Sequence, residues 1–325
     1  MKAIVYLKNG PPEDVLTCEE LDKPVPSEQE VLIKVRAAAV NPLDYHMMRG
    51  GPALMRLLLG GGKLKRPGVD MAGVVETVGS GVTLFKAGDA VFGSGRGAFA
   101  EYAVAPESKL ACKPEGLAFE DAAACPIAAL TALQGLRNCG KIQPGQSVLI
   151  NGASGGVGTF AVQLAKIFDA HVTAVCSGRN AELVRSLGAA RVIDYTREDF
   201  AKGAERYDLI FDLAGNHSYP ACRRILTPHG TWVGAGVLAG MKSLLAMFGG
   251  LIWALVVSRF SSRKFATFVA RVNRDDLKYI GDLLAGGKLK TLIDKRYTLD
   301  DVPEAMRYQG TWRARGKLII NVSKQ

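Results

Sequence analysis

Hydrophobic and polar positions follow two textures along the chain. Up to about residue 120 the apolar runs are short and β-like: Lys2–Leu7, Glu30–Ala39, Gly73–Val78 and Ala100–Val104. Glycines and the prolines at 24, 26, 42, 67, 106 and 114 break them. That spacing predicts an antiparallel, barrel-like unit. From about residue 122, strand-like and helix-like segments alternate. Ser147–Asn151 is a short apolar strand, and a helix pattern follows over Gly156–Phe168 with Val157, Phe160, Ala161, Leu164 and Ile167 on one stripe. Strand His171–Cys176, helix Asn180–Leu187, strands Arg191–Asp194 and Asp208–Asp212, helix Tyr219–Leu226 and strand Thr231–Gly234 come next, with a sixth strand over Phe265–Ala270. Continuous V/I/L/A runs between amphipathic helices are how buried parallel strands read. The fold class is therefore α/β, with a doubly wound Rossmann sheet joined to a β-barrel-like unit.

Composition adds bounds. At 325 residues the chain has room for two domains. Apolar residues make up 48% and charged residues 22%, an ordinary globular balance that excludes collagen, mucin and disulfide scaffolds. Lys and Arg outnumber Asp and Glu by 41 to 31, a net charge of +10 that suits an anionic ligand, an anionic membrane or nucleic acid alike. No aromatic-basic stacking motif or helix-turn-helix accompanies it, so nucleic acid is not the expected partner. The cysteines, at 18, 112, 125, 139, 176 and 222, include no C-x-x-C pair and read as buried small hydrophobes in a reducing compartment. The first ten residues lack an apolar signal-peptide core.

The strongest chemical signal is the turn after Ser147–Asn151. It reads G-A-S-G-G-V-G, with Gly152-x-x-Gly155-x-x-Gly158 spacing and Ala153 at the first glycine position of a dinucleotide fingerprint. A small residue there allows the tight turn, Gly155 admits a pyrophosphate, and Gly158 lets helix meet strand. Free amides of Gly152, Ala153, Ser154, Gly155, Gly156, Val157 and Gly158 then face the anion. A strand before and a helix after supply the confirming context.

The second strand ends Cys176-Ser177-Gly178-Arg179-Asn180, with no acid to grip a ribose 2′-hydroxyl. Arg179 can clamp a 2′-phosphate and Ser177 can donate to it, which favours NADP(H) over NAD(H). Arg179 as a solvated cation in a first helical turn is the blander reading, and a poor one beside the positive end of the helix dipole. Asn180 belongs to the same tip. Tyr195 flanks the adenine, touches the phosphate, or is a half-buried rim tyrosine.

Ordered segments now resemble the zinc-independent quinone oxidoreductases of the medium-chain dehydrogenase/reductase family. They are V-L-I-K-V-R-A-A-A-V-N-P-L-D, P-G-V-D-M-A-G-V-V-E-T-V-G-S-G-V, F-K-A-G-D-A-V-F-G, A-A-L-T-A-L-Q-G-L, the glycine turn with A-V-Q-L-A-K, and R-A-R-G-K-L-I-I. The resemblance implies a GroES-like β-barrel domain over residues 1–121, a Rossmann domain over 122–271 and a return to the first domain over 272–325, with the active site in the cleft between. Zinc-dependent alcohol dehydrogenases of the superfamily carry a Cys where Asn41 stands and a His-Glu pair where Val69-Asp70 stand. No metal is expected, since a catalytic zinc needs three N, S or O ligands.

Without zinc, the chemistry implied is hydride transfer from NADPH to an already conjugated acceptor, a quinone or an α,β-unsaturated carbonyl. The resemblance sets Asn41 beside nicotinamide and substrate, Thr131 near the nicotinamide or its ribose, and Leu213, Gly236, Val237 and Lys317 around the cofactor. Tyr45 is the candidate to hydrogen-bond the acceptor oxygen. Read structurally, Asn41-Pro42-x-Asp44 is a turn with Asp44 capping a helix. The family habit implies a homodimer.

Residues 237–257 hold 21 positions and one charge, Lys242; as a helix they reach ~31 Å. A membrane span is rejected, because it would separate the sixth strand from its sheet. A second apolar-basic run covers 54–67. Either the two form a greasy lid or dimer contact, or they dip into an anionic membrane. The setting is the cytoplasm or another reducing compartment, with or without peripheral membrane contact. The alternative function is a non-catalytic NADPH-binding module that senses redox state or assists a membrane-associated assembly.

Overall fold

The computed structural model describes residues 1–50, 65–235 and 262–322. They form two compact units, Met1–Leu130 with Val272–Gln325, and Thr131–Arg271. The sequence reading sets the first boundary at 121/122; the chain leaves the first unit within the helix Pro126–Leu133 instead.

In chain order the strands are β1 (Lys2–Val5), β2 (Thr17–Glu20), β3 (Glu30–Val40), β4 (Asp70–Val78), β5 (Ala90–Ser94), β6 (Tyr102–Pro106) and β7 (Leu110–Cys112). They continue as β8 (Ser147–Asn151), β9 (His171–Cys176), β10 (Arg191–Asp194), β11 (Tyr207–Asp212), β12 (Leu226–Gly234), β13 (Lys264–Thr267), β14 (Ile293–Thr298) and β15 (Lys317–Asn321).

In the first unit a sheet runs β14-β15-β3-β4-β5-β7, with β6 also on β3. β3 is its long central member. Ile33, Val35, Ala38 and Val40 enter one core with Met71, Phe99, Leu318 and Ile320. Each large member stabilises the unit by roughly 1.5–3 kcal/mol through burial. The register brings chemistry together. Leu318 pairs with Val40, Ala39 with Asp70, and Asp70 with Ser94. Asn41, Lys317, Asp70 and Ser94 are therefore neighbours across four strand ends.

The second unit is a parallel sheet in the order β10-β9-β8-β11-β12-β13. Strand order reverses between β8 and β11, the position where such sheets bind ligands at their carboxyl ends. The helix after β8 is α1 (Gly156–Ile167), which buries Phe160, Ala161 and Leu164 of the predicted stripe, while Val157 and Ile167 at its two ends are only half-buried. The helix after β11 is shorter than expected, Tyr219–Arg223, because Leu226 already pairs with Tyr207 and opens β12. Cys125, Cys176 and Cys222 are buried, whereas Cys18 and Cys112 are exposed, on an outward-facing edge strand and at the end of β7. No helix among the described residues is long and apolar enough to cross a membrane. The apolar segment 237–257, with Val237 and neighbouring Gly236, lies outside the described residues, as does most of 54–67.

Candidate active site

The glycine turn takes the shape its sequence requires. Gly152 sits at φ +85°, a left-handed conformation that other residues rarely adopt. Ala153 is fully buried, and its N–H reaches Val175 O at 3.1 Å, tying the turn to β9. A Cβ on Gly158 would lie 2.2 Å from Gly152 O and 2.7 Å from Ala153 Cα, so helix and turn meet there at backbone distance. Ser154, Gly155, Gly156 and Val157 remain partly open. The N–H groups of Ser154, Gly156, Val157 and Gly158 find no backbone acceptor among the described residues, whereas those of Gly152 and Ala153, expected to be free, go to Val175 O at 3.1 Å and that of Gly155 to Gly152 O at 3.2 Å, because the turn is stitched to β9 and to itself. Open amides at a helix start form an anion cradle.

Two of the predicted tip residues, Ser177 and Asn180, form a hydrogen-bonded group with Ser154 of this turn. Asn180 Nδ2 donates to Ser154 Oγ at 2.9 Å and to Ser177 Oγ at 3.3 Å. Its Oδ1 is buried without a partner. Arg179 is exposed, on a short turn after β9, and forms no ion pair among the described residues. Tyr195 is 58% exposed at the end of β10, its N–H on Cys176 O at 3.2 Å. One neighbour was not visible along β9 alone. Asp194, the last residue of β10, pairs in register with Cys176 and approaches Gly178. Hydrogen bonds from the Thr196 hydroxyl and N–H hold its carboxyl below the usual range.

At the end of β11, Leu213 N–H reaches Asn151 O at 3.0 Å and its side chain flanks Gly152. Beneath it, Asn151 Nδ2 donates to Asp212 Oδ1 and Asn216 Oδ1, both at 2.8 Å. Asp212 Oδ1 also accepts the N–H groups of Ala214 and Gly215. Burial pushes the Asp212 carboxyl up. Neither residue was singled out from the sequence; polar residues ending two apolar strands were the available signal.

The first unit holds a buried polar cluster. Asn41 is 1% exposed, and its Nδ2 donates to Asp70 Oδ2 at 3.0 Å and Ala39 O at 3.3 Å. Lys317, expected at the cofactor, is 3% exposed and turned into this cluster, with Nζ on Asn41 Oδ1 at 2.6 Å and 4.0 Å from Asp70. Ser94 Oγ and Ile127 N–H complete the Asp70 carboxylate. Asp44 accepts Asn41 N–H at 2.9 Å and Gly68 N–H at 3.2 Å. It thus secures the start of the helix Pro42–Met48 from its third position, so the capping reading of this segment describes its geometry. Burial pushes Asp44 up to about 7 and Asp70 up as well, and it pushes Lys317 down.

Tyr45 stands apart from that cluster. Its half-buried ring meets Trp312 edge-on at 6.4 Å and lies against Gly310. The hydroxyl makes no hydrogen bond to another described side chain. Thr131 is half-buried on the helix Pro126–Leu133.

Known proteins match this geometry along the whole chain. A family model described as an alcohol dehydrogenase GroES-like domain matches residues 27–115, and one described as a zinc-binding dehydrogenase matches 187–320. Over 333 residues the chain is 34% identical to the chloroplastic quinone-oxidoreductase QR1 of Triphysaria versicolor, covering 98% of each protein. The chain belongs to the quinone oxidoreductases of the medium-chain dehydrogenase/reductase superfamily. The chain is also 34% identical over 344 residues to a 2-methylene-furan-3-one reductase of Solanum lycopersicum, covering 99% of this chain and 79% of that protein. The crystal structure of Escherichia coli quinone oxidoreductase complexed with NADPH has a TM-score of 0.83 to it at 25% identity, covering 99% and 100% of the two chains. The chain is thus an NAD(P)H oxidoreductase. Its open amides, its backbone-close Gly158 and the Ser154–Asn180–Ser177 group fit a dinucleotide. The positions that carry zinc ligands in zinc-dependent alcohol dehydrogenases fit a metal poorly here. Asn41 gives both amide hydrogens away, Val69 has no donor atom, and the Lys317 ammonium lies between Asn41 and Asp70.

Proposed function

We propose that this quinone oxidoreductase uses NADPH to reduce a quinone or an α,β-unsaturated carbonyl, without zinc. The observation that carries the reading is Arg179, an exposed guanidinium without an ion-pair partner among the described residues, one residue from the Ser154–Asn180–Ser177 group. A cation there suits a 2′-phosphate. The relatives named for a quinone and for a methylene-furanone support a conjugated acceptor.

When bound, NADPH supplies the hydride. The open amides of Ser154, Gly156, Val157 and Gly158 hold the pyrophosphate, with Arg179, Ser177 and Asn180 at the adenosine phosphate and Tyr195 beside it. Leu213 lines the cofactor, with Thr131 near the nicotinamide ribose. Asn41 is a fixed wall beside nicotinamide and acceptor, because its amide hydrogens are already committed to Asp70 and Ala39. Lys317 contributes by holding that amide. Tyr45, whose hydroxyl makes no hydrogen bond to another described side chain, is the candidate donor to the acceptor oxygen. Conjugation spreads the developing negative charge, so a hydroxyl can serve where a metal otherwise would.

The test is steady-state oxidation of NADPH and NADH with a panel of quinones and alkenals, before and after exhaustive dialysis against a chelator. NADPH should be preferred by about tenfold or more in kcat/KM, the value of one charge-assisted contact. Arg179→Ala should cut the preference severalfold, and dialysis should leave the rate unchanged. Equal use of both nucleotides, or activity lost to the chelator and restored by zinc, would overturn the reading.

A further inference from the structure

We propose that Arg197 is a second specificity-determining cation for the cofactor's 2′-phosphate, held ready by Asp194. The inference rests on the NADPH reading above and adds a residue to it.

The geometry begins with register. Asp194 at the end of β10 lies beside Cys176 at the end of β9, and Tyr195 N–H bonds back to Cys176 O. The chain then turns, with the N–H of Arg197 on Asp194 O at 3.0 Å. That turn returns the Arg197 side chain to the Asp194 carboxylate, Nε to Oδ2 at 3.7 Å. The other neighbour of Oδ2 is Gly178, where a Cβ would lie only 2.4 Å away. Gly178 immediately precedes Arg179. One carboxylate oxygen therefore sits between the backbone that carries Arg179 and the guanidinium of Arg197.

Asp194 stays ionised at this tip, so a phosphate can approach only where a cation offsets its charge. Asp194 Oδ1 accepts Thr196 N–H at 3.0 Å and the Thr196 hydroxyl at 2.7 Å. Arg197 is the loosest of its partners. At 3.7 Å the pair exceeds hydrogen-bond distance, and the Arg197 side chain is 86% exposed. An exposed ion pair of this kind contributes little to stability. A phosphate monoester dianion offers three acceptor oxygens and the bidentate geometry a guanidinium prefers. Arg197 thus keeps its Nε beside Asp194 Oδ2, offsetting that charge, while its exposed terminal nitrogens take the 2′-phosphate.

The test is calorimetric binding of NADP⁺, NAD⁺ and 2′-AMP to the wild type, Arg197→Ala, Arg179→Ala and the double variant. Arg197→Ala should weaken NADP⁺ and 2′-AMP by roughly tenfold, with a much smaller change for NAD⁺. The double variant should lose more than either single one. Arg197 is exposed, so unchanged thermal unfolding should accompany the loss. An NADP⁺/NAD⁺ ratio in Arg197→Ala equal to the wild type's, while Arg179→Ala collapses it, would overturn this inference and leave the NADPH reading standing. A wild type that does not discriminate between the two nucleotides would overturn both.

Discussion

Lys317 Nζ donates to Asn41 Oδ1 at 2.6 Å, joining the first residue of β15 to the residue that follows β3. This contact fixes the amide, since Oδ1 must face the ammonium and Nδ2 must face Asp70. Lys317→Met would leave the buried Asp70 without its cation. Removing one partner of a buried ion pair costs about 3–5 kcal/mol. Urea unfolding should show a loss of that size, and Asp70→Asn added to Lys317→Met should recover part of it. A Lys317→Met protein as stable as the wild type would mean the cluster carries no charge coupling.

Asp44 should make stability depend on pH in an unusual direction. Burial raises its carboxyl to about 7, against an unfolded value of ~3.9. The folded state therefore binds this proton more tightly than the unfolded chain. Its contribution is fully present below about pH 4 and is lost as pH rises to about 7, by at most about 4 kcal/mol. Asp70 is shifted in the same direction. Unfolding at pH 5 and pH 7.5 should show the wild type losing more stability than Asp44→Asn across that interval. Equal changes in the two proteins would show that Asp44 does not titrate there.

The parallel sheet was legible because continuous apolar runs leave few other arrangements; β8, β9 and β10 have the predicted bounds. The glycine turn was legible because Gly152 and Gly158 meet backbone constraints that no other residue satisfies. What stayed hidden depends on pairing between distant segments. Nothing near Asn41 in sequence announces Lys317, whose place follows from the β3–β15 register. Asp194 was missed for the same reason: the tip of β9 was read along one strand, while the acid arrives from the next. Tyr45 and Asn41 share a helix start, yet their side chains enter different surroundings, one aromatic and one ionic.

Two glycines of the turn should fail in different ways. A Cβ on Gly158 would collide with Gly152 O and Ala153, so Gly158→Ala should cost about 1–3 kcal/mol of stability as well as cofactor affinity. Gly155 has φ −82°, and its Cβ would meet Gly152 O at an ordinary 3.5 Å. Gly155→Ala should keep its thermal stability and lose NADP⁺ affinity, because the methyl occupies space the pyrophosphate needs. Parallel melting and calorimetry would separate the two. A Gly155→Ala protein with wild-type affinity would place the anion elsewhere.

Asn151 offers the last test, because its amide serves two elements at once. Its two Nδ2 hydrogens go to Asp212 and Asn216, which orders the loop carrying Leu213 past Gly152. Asn151→Ala removes both bonds but leaves Asp212 Oδ1 with Ala214 and Gly215 N–H. The loss should therefore be moderate, about 1–3 kcal/mol for a buried carboxylate deprived of one donor. Because the loop flanks the glycine turn, NADP⁺ affinity should fall with stability, and hydrogen exchange of the Ala214 and Gly215 amides should quicken. Asn151→Asp should do worse than Ala, since it sets a second carboxylate against Asp212. An Ala variant worse than Asp would indicate that volume at the end of β8, rather than this hydrogen bonding, holds the loop.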